Sequence, residues 1–189
     1  DRDTASFERS LESIQQLLGR TCVPIQVPIG AEKGFKGVVD LVTMKAFLSA
    51  GDGSAKFTEG AIPADVEGRA NEYREKLVES VAESDEKLME KFFESGSLSD
   101  DELLTGLKKQ IATGNLFPIV YTSATGNIGL PQLLNTIVSY LPDAVSRGTV
   151  TGKDAKSSEI TRKISDGEPF SAFVFKTDRK STRLNSSHV

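Results

Sequence analysis

The sequence has very little of the residue types that carry most catalytic and metal chemistry. Its 189 residues include one cysteine, one histidine and no tryptophan. The single cysteine, Cys22, cannot form a disulfide within the chain, which fits a reducing compartment. The histidine, His188, lies in the last twelve residues, so the rest of the chain has no imidazole that could act as a general base or bind zinc.

Long apolar runs are also absent. Runs such as residues 119–121 are too short to cross a bilayer, and no signal-peptide pattern opens the chain. The composition is 38% hydrophobic and 26% charged with a net charge of −4, which excludes disordered and collagen-like proteins. The acidic balance argues against general nucleic-acid affinity. We therefore expect a soluble, cytoplasmic protein with no membrane partner.

Both ends of the sequence differ from those of a typical complete protein. The chain opens on Asp1 rather than Met and passes at once into an amphipathic helix pattern, so we expect it to start partway through a fold. Residues 178–189 (DRKSTRLNSSHV) lack apolar periodicity and resemble one reading frame of a widely used sequencing adapter. We interpret this tail as an artefact. Its removal takes away three basic residues and one acidic residue, and changes the net charge from −4 to −6.

Apolar residues at helical spacing predict several helices between short strands. The strongest helix start is Ser99 followed by Glu102, the pattern of a capping box. The predicted helices cover residues 5–18, a stretch from Pro63 to Val81, a stripe from Leu88 that stops near Gly96, a segment from Ser99 to Gly114, and residues 130–141.

Four segments are predicted to form strands, one of them residues 169–176. In residues 23–29 every odd position is apolar, and Pro24 and Pro28 indicate the edge of a sheet. Residues 37–48 fit two short strands or one bent strand. Residues 117–121 resemble a buried parallel strand that leads into a polar loop and then a helix, which is half of an α/β unit.

Two polar segments are candidate sites. Residues 148–154 (GTVTGKD) look like a phosphate-binding loop, but the glycine spacing is one residue too short and Asp154 stands where a Mg²⁺-binding hydroxyl is needed, so a linker is the better interpretation. Thr122, Ser123 and Ala124 follow a predicted strand at the end where α/β sheets place ligands. Taken alone, this tripeptide is also compatible with an ordinary strand-to-helix loop.

Four segments together resemble one family. They are VPIQVPIGAEKGFKGVVDLVTMKA (residues 23–46), KLMEKFFE (87–94), LFPIVYTSATGNIGLPQLLNTIVSYLPD (116–143) and EPFSAFVFKT (168–177). In this order and at these spacings they resemble bacterial elongation factor G, a translational GTPase family. The resemblance extends over residues 1–177.

The resemblance implies an α/β fold that is only part of a P-loop GTPase domain, its C-terminal part of the sheet, with an inserted α+β subdomain and the first strand of a following β-barrel domain. The implied boundaries are 1–30 for the partial GTPase domain, 31–113 for the insertion, 114–143 for the return to the GTPase domain, 144–168 for a linker, 169–177 for the barrel strand and 178–189 for the artefact tail.

The resemblance also implies a nucleotide-binding site. Asp1 followed by Arg2 matches the end of the family's Asn-Lys-x-Asp-Arg motif, so the Asp1 carboxylate would accept hydrogen bonds from the ring imino group and the exocyclic amine of guanine. Thr122, Ser123 and Ala124 match the family's Thr-Ser-Ala motif, whose backbone N–H groups would face the keto oxygen of the base. Adenine lacks this donor pair and would be rejected.

Other features of the family are missing. The chain has no Gly-rich loop for phosphates and Mg²⁺, no switch segments and no switch histidine. We assign it no catalytic residue and no metal ligand, and expect that it alone neither hydrolyses GTP nor binds it measurably. Calorimetry with GDP and Mg²⁺ tests this, and micromolar binding would contradict it.

The parent protein implied by the resemblance is a cytoplasmic monomer that binds GTP or GDP with Mg²⁺. It hydrolyses GTP to drive translocation of tRNA and mRNA, and contacts the stalk and rRNA of the large ribosomal subunit. Two alternatives stay open. The chain could be a non-catalytic protein-interaction module, or it could come from a paralogue specialised for ribosome recycling or ribosome protection.

Overall fold

A computed structural model describes residues 1–83, 85–153, 156–170 and 172. The chain divides into two compact units, Asp1–Pro142 and Asp143–Val189. Most of the predicted barrel strand at residues 169–177, and all of the tail at residues 178–189, lie outside the described residues.

The helices of the first unit lie where the apolar spacing predicts them. Their ends follow from local capping. The Ser6 hydroxyl accepts from the Arg9 amide at 3.3 Å, Ser99 and Glu102 form the predicted capping box, and Gly96 and Gly114 end their helices in the left-handed conformation. The helices are α1 (Phe7–Leu18), α2 (Ala64–Ala82), α3 (Glu86–Ser95), α4 (Asp100–Thr113) and α5 (Leu130–Tyr140).

The strands of this unit form one parallel pair and one antiparallel sheet, so the fold is mixed α/β. The strands are β1 (Cys22–Pro24), β2 (Gln26–Ile29), β3 (Gly37–Asp40), β4 (Lys45–Ser49), β5 (Phe57–Gly60) and β6 (Phe117–Ile119). Strand β1 pairs in parallel with β6. The other four strands form an antiparallel sheet in the order β2-β3-β4-β5, and residues 37–48 supply two strands rather than one bent strand.

The prediction of a single strand at residues 23–29 is wrong, because the segment contains two strands that belong to different sheets. Ile25 is the junction: its amide donates to the Ile119 carbonyl at 3.1 Å, and its carbonyl accepts from the Leu41 amide at 3.0 Å. The alternation of apolar residues continues through the junction, so the pattern alone does not reveal the change of partner. The prediction of a sheet edge is confirmed, since Pro28 lies in the edge strand β2.

The prediction that residues 117–121 form a buried parallel strand is confirmed for the parallel pairing and wrong for the burial. Strand β6 is parallel, as expected, but the Phe117 side chain is 52% exposed and Ile119 is only partly buried. The physical reason is that β6 has a single neighbour, β1, among the described strands. Its other edge and part of its face are therefore uncovered.

The core of the first unit lies between α2, α4 and the strands. Val27, Leu77, Leu103 and Leu107 are fully buried in it. Gly106 of α4 allows the closest approach, because a Cβ atom at this position would lie 2.6 Å from Val81 Cγ1 and 2.8 Å from Leu88 Cδ1. The side chains of α2 and α3 therefore pack directly against the backbone of α4.

Helix α5 exposes more apolar side chains than an ordinary surface helix. The polar side chains of Gln132 and Thr136 are buried, whereas a row of apolar side chains at helical spacing is exposed. Those exposed side chains are Leu134, Ile137, Val138 and Leu141. We call this row the apolar face of α5.

In the second unit, the structure contains a β-hairpin that the sequence pattern does not predict. Strand β7 (Thr149–Lys153) pairs antiparallel with β8 (Glu159–Lys163). The segment is polar and rich in Gly, Ser and Thr, so its composition favours a linker and obscures the strands. The residues that resemble a phosphate loop mostly form β7 rather than a loop before a helix.

Within the described residues, no helix combines the length and apolar character needed to span a membrane.

Candidate functional site

The structure brings together two residues that the sequence analysis singles out, Asp1 and Ser123. The Ser123 hydroxyl donates to Asp1 Oδ2 at 2.7 Å, across 122 positions of sequence. The hydroxyl of Thr125 donates to the same oxygen. Asp1 Oδ2 therefore receives two hydroxyl donors from the loop that follows β6.

The loop after β6 is ordered by its own hydrogen bonds. Ser123 and Ile128 form an antiparallel bridge, with amide-to-carbonyl distances of 2.9 and 3.2 Å. The Ser123 side chain is 2% exposed, and its Oγ also accepts from the Gly126 amide at 3.0 Å. Ser123 is therefore the centre of the loop: it donates to Asp1 and accepts from its own backbone.

Gly129 fixes the start of α5 close to this loop. It has φ of 74°, in the region that favours glycine, and a Cβ atom there would lie 2.5 Å from the Tyr121 carbonyl oxygen. Any other residue would force the two segments apart. The loop thus stays at the carboxyl end of β6, the end at which α/β proteins bind ligands.

Thr122 and Ala124 lie on the surface on either side of the buried Ser123. Among the described residues, the Ala124 amide has no hydrogen-bond acceptor, so it is available to a carbonyl oxygen from outside the chain. The site therefore offers an ordered carboxylate and a backbone donor. A carboxylate accepts from N–H groups and a backbone amide donates to a carbonyl oxygen, so the loop region provides one acceptor and one donor.

Asp1 and Thr122 also line an open cleft of about 290 Å³. Its opposite walls include Phe7, Glu32 and Arg69. Ser123 and Ala124 do not line this cleft, so only two of the four predicted residues face it.

Two side chains of the cleft wall are held in place by their surroundings. Arg69 donates to the Pro28 carbonyl at 2.6 Å and pairs with Glu8 at 3.5 Å. The Tyr121 ring packs against Phe7 with the ring centroids 4.9 Å apart, and burial raises the pKa of its hydroxyl. Asp1 is one of three acidic side chains that line the cleft, together with Glu8 and Glu32.

The segment that carries Asp1 is itself held by a residue that sequence reasoning missed. The Thr4 amide donates to Glu32 Oε1 at 2.8 Å. Thr125 was missed as well, although a hydroxyl two residues after Ser123 is a signal that could have identified it. Glu32 gives no such signal, because its partner lies 28 residues away in the sequence.

No group of three or more His, Cys, Asp or Glu side chains within the described part of the chain is placed to hold a metal ion.

The fold and this site define a mixed α/β protein with a candidate ligand site at the carboxyl end of a parallel strand. No protein-family model matches the chain. Among solved structures, it resembles a crystal structure of a protein from Thermus thermophilus, with a TM-score of 0.66 and 25% sequence identity over 76% of this chain. The chain spans 21% of the length of that protein.

Proposed function

We propose that this chain is the guanine-reading part of a translational GTPase of the elongation factor G type. The observation that carries the proposal is the 2.7 Å hydrogen bond between Ser123 Oγ and Asp1 Oδ2. It joins the two motifs that resemble the family's guanine-binding motifs, although they stand at opposite ends of the first unit. A chance resemblance of either motif alone gives no reason for this contact.

The chemistry of the site suits guanine better than adenine. The Asp1 carboxylate accepts hydrogen bonds, and guanine presents two adjacent donors, the ring imino and the exocyclic amine. The exposed Ala124 amide donates, and guanine has a keto oxygen on the same edge. Adenine has an amine in place of that oxygen and no ring imino donor, so both contacts would be lost.

The apolar face of α5 supports the idea that the first unit belongs to a larger α/β domain. Val138 is 84% exposed and Phe117 in β6 is also exposed, whereas Gln132 and Thr136 of the same helix are buried. Apolar side chains in a contiguous row of this kind mark a packing or interaction surface. Further strands beside β6 would cover it, and these would carry the phosphate-binding half of the site.

The activity of the parent is part of the proposal. It would bind GTP or GDP with Mg²⁺, hydrolyse GTP, and use the reaction on the large ribosomal subunit to move tRNA and mRNA. The residues of this chain fit the base but supply no phosphate loop, so we assign them recognition of guanine and no step of hydrolysis.

A nuclear magnetic resonance titration of the ¹⁵N-labelled chain with GMP and AMP tests the proposal. A site that contacts only the base is expected to bind in the millimolar range, about 4 kcal/mol, which is far weaker than the micromolar binding that the calorimetric test looks for. We expect GMP to shift the amide signals of Ser123, Ala124 and Gly126, and AMP to leave them in place. Equal shifts with both nucleotides, or none with either, would contradict base recognition and favour the interaction module.

Replacing the carboxylate with an amide sharpens the test. Asp1→Asn exchanges an acceptor for a donor, so GMP should bind about tenfold or more weakly. XMP carries an oxygen where guanine carries its exocyclic amine, and should bind the variant better than it binds the original chain. Glu67→Gln, an amide substitution at an exposed position of α2, is the control and should change neither affinity.

A further inference from the structure

Two residues that contact each other across the first unit share an unusual backbone conformation. Thr4 has φ of 71° and Glu32 has φ of 52°. Left-handed φ values are rare for residues other than glycine, and rarer still for a β-branched residue such as Thr4. Such conformations persist where neighbouring contacts hold them, and they concentrate at functional sites.

The contact between them is the hydrogen bond from the Thr4 amide to Glu32 Oε1, at 2.8 Å. The acceptor is a carboxylate, so this bond is stronger than one between neutral groups. It crosses from the turn that carries Asp1 to the first residues of the predicted insertion. An ion pair between Lys33 and Asp3 at 3.3 Å adds a second, solvent-exposed connection between the same two segments.

Glu32 projects from a rigid support. The loop after β2 requires glycine at position 30, which has φ of 80° and where a Cβ atom would lie 2.0 Å from the Gly34 carbonyl oxygen. The loop is closed by bonds from the Gly34 amide to the Ala31 carbonyl at 2.8 Å and from the Lys36 amide to the Ile29 carbonyl at 2.9 Å. The position of this loop is therefore set by β2 and β3 and not by the turn that carries Asp1.

The turn itself has little other support. Its backbone is closed by one bond, from the Ala5 amide to the Arg2 carbonyl at 3.2 Å, and its residues are exposed. Asp1 is held at its side chain by Ser123 and Thr125. The hydrogen bond from the Thr4 amide to Glu32 is the contact that holds the backbone of this turn.

We propose that Glu32 is a positioning residue for base recognition: it holds the turn of Asp1 through the Thr4 amide and so connects the insertion to the guanine site. This inference rests on the proposed function, since it assigns Glu32 a part in the same site. Any movement of the loop after β2 would then change the affinity for the base. The role assigned to Glu32 acts on the nucleotide through Asp1, although both side chains line the same cleft.

The test compares the original chain with Glu32→Ala, Glu32→Gln and, as a matched control, Glu67→Ala at an exposed position of α2. Glu32→Ala removes the acceptor, so we expect amide exchange at Thr4 to become about tenfold faster and the affinity for GMP to fall by a similar factor. Glu32→Gln keeps an oxygen that can accept, and should retain most of both. Glu67→Ala should change neither, and all four chains should melt at the same temperature.

The outcomes separate this inference from the proposed function. If the original chain binds GMP and Glu32→Ala binds it equally well, positioning by Glu32 is refuted while base recognition stands. If the original chain binds no GMP, the proposed function fails, and the effect of Glu32 on the loop after β6 is tested in the nucleotide-free protein. In that case Glu32→Ala must shift the amide signals of Ser123 and Gly126. A change confined to the Thr4 signal would overturn the inference.

Discussion

At the scale of single residues, carboxylates connect separate segments of the chain. Asp1, Glu32 and Glu102 each accept from donors that lie elsewhere in the sequence or at a helix end. Glu102 accepts from three donors. Its Oε1 accepts from Lys91 of α3, and its Oε2 accepts from the hydroxyl and amide of Ser99.

Acid should therefore weaken the start of α4. The Lys91 ammonium and the Ser99 donors lower the pKa of Glu102 from 4.5 to about 2. A lowered pKa in the folded state means that the stabilisation is fully present above pH 4.5 and is lost as the pH falls towards 2. Thermal unfolding followed by circular dichroism should show a steeper loss of melting temperature across this interval for the original chain than for Glu102→Gln.

Glu67→Gln, a change in the first turn of α2 where no capping box exists, serves as the control for this measurement. It should leave the pH dependence close to that of the original chain. A Glu102→Gln profile that runs parallel to the original between pH 4.5 and pH 2 would show that the capping box contributes nothing in this range.

The residues of the candidate site can be predicted only in part from the sequence. The resemblance of Asp1, Ser123 and Ala124 to family motifs identifies candidates, and the structure joins Asp1 to Ser123. Glu32 could not have been found in this way, because its contact depends on where the loop after β2 lies once β2 and β3 have paired. Long-range contacts to a backbone amide leave no pattern in the sequence around either partner.

At the scale of secondary-structure elements, helices are more predictable than strands. Apolar spacing and capping residues are local, so α4 can be read directly from Ser99 to Gly114. The division of residues 23–29 between two sheets depends on which strands lie alongside, and the alternation of side chains is the same in either sheet. The hairpin of β7 and β8 lacks the apolar alternation that would mark it.

The packing of α4 on α2 and α3 can be tested with two glycines. Ala has the higher helix propensity, so Gly68→Ala in α2, where a Cβ atom would meet nothing within 4 Å, should stabilise the chain by about 0.5–1 kcal/mol. At Gly106 the added methyl would lie 2.6 Å from Val81 Cγ1. Overpacking of this kind costs about 1–3 kcal/mol, so Gly106→Ala should be destabilising overall.

Urea unfolding monitored by circular dichroism measures both changes on the same scale. The Gly68 variant is the internal standard for propensity, and the difference between the two variants isolates the steric contribution at Gly106. If both substitutions stabilise the chain equally, α4 can move away from α2 and α3 to accommodate the added methyl group at no cost in free energy.

At the scale of the whole molecule, the distribution of polar and apolar surface is uneven. The core between α2, α4 and the strands is densely apolar, whereas α5 exposes several apolar side chains and buries Gln132 and Thr136. The charge pattern and the mean composition give no indication of these exposed apolar residues. Their exposure depends on which side of α5 packs against α4.

Val138 should therefore behave as a surface residue despite its apolar side chain. Val138→Lys is expected to change the free energy of unfolding by no more than about 0.5 kcal/mol, and to reduce light scattering at high protein concentration. Val78→Lys, in the buried face of α2, is the matched control and should cost about 3 kcal/mol or more. A similar loss at both positions would mean that the apolar face of α5 is covered.

The segment through Ile25 has a consequence for how the chain acquires its structure. Strands β1 and β6 are separated by the other four strands of the unit and by three α-helices, so their parallel ladder closes a very long loop. The antiparallel hairpins from β2 to β5 form between near neighbours and can close early. Assembly should thus run from the middle of the unit outwards, with the loop after β6 reaching its final geometry in a late, slow kinetic phase.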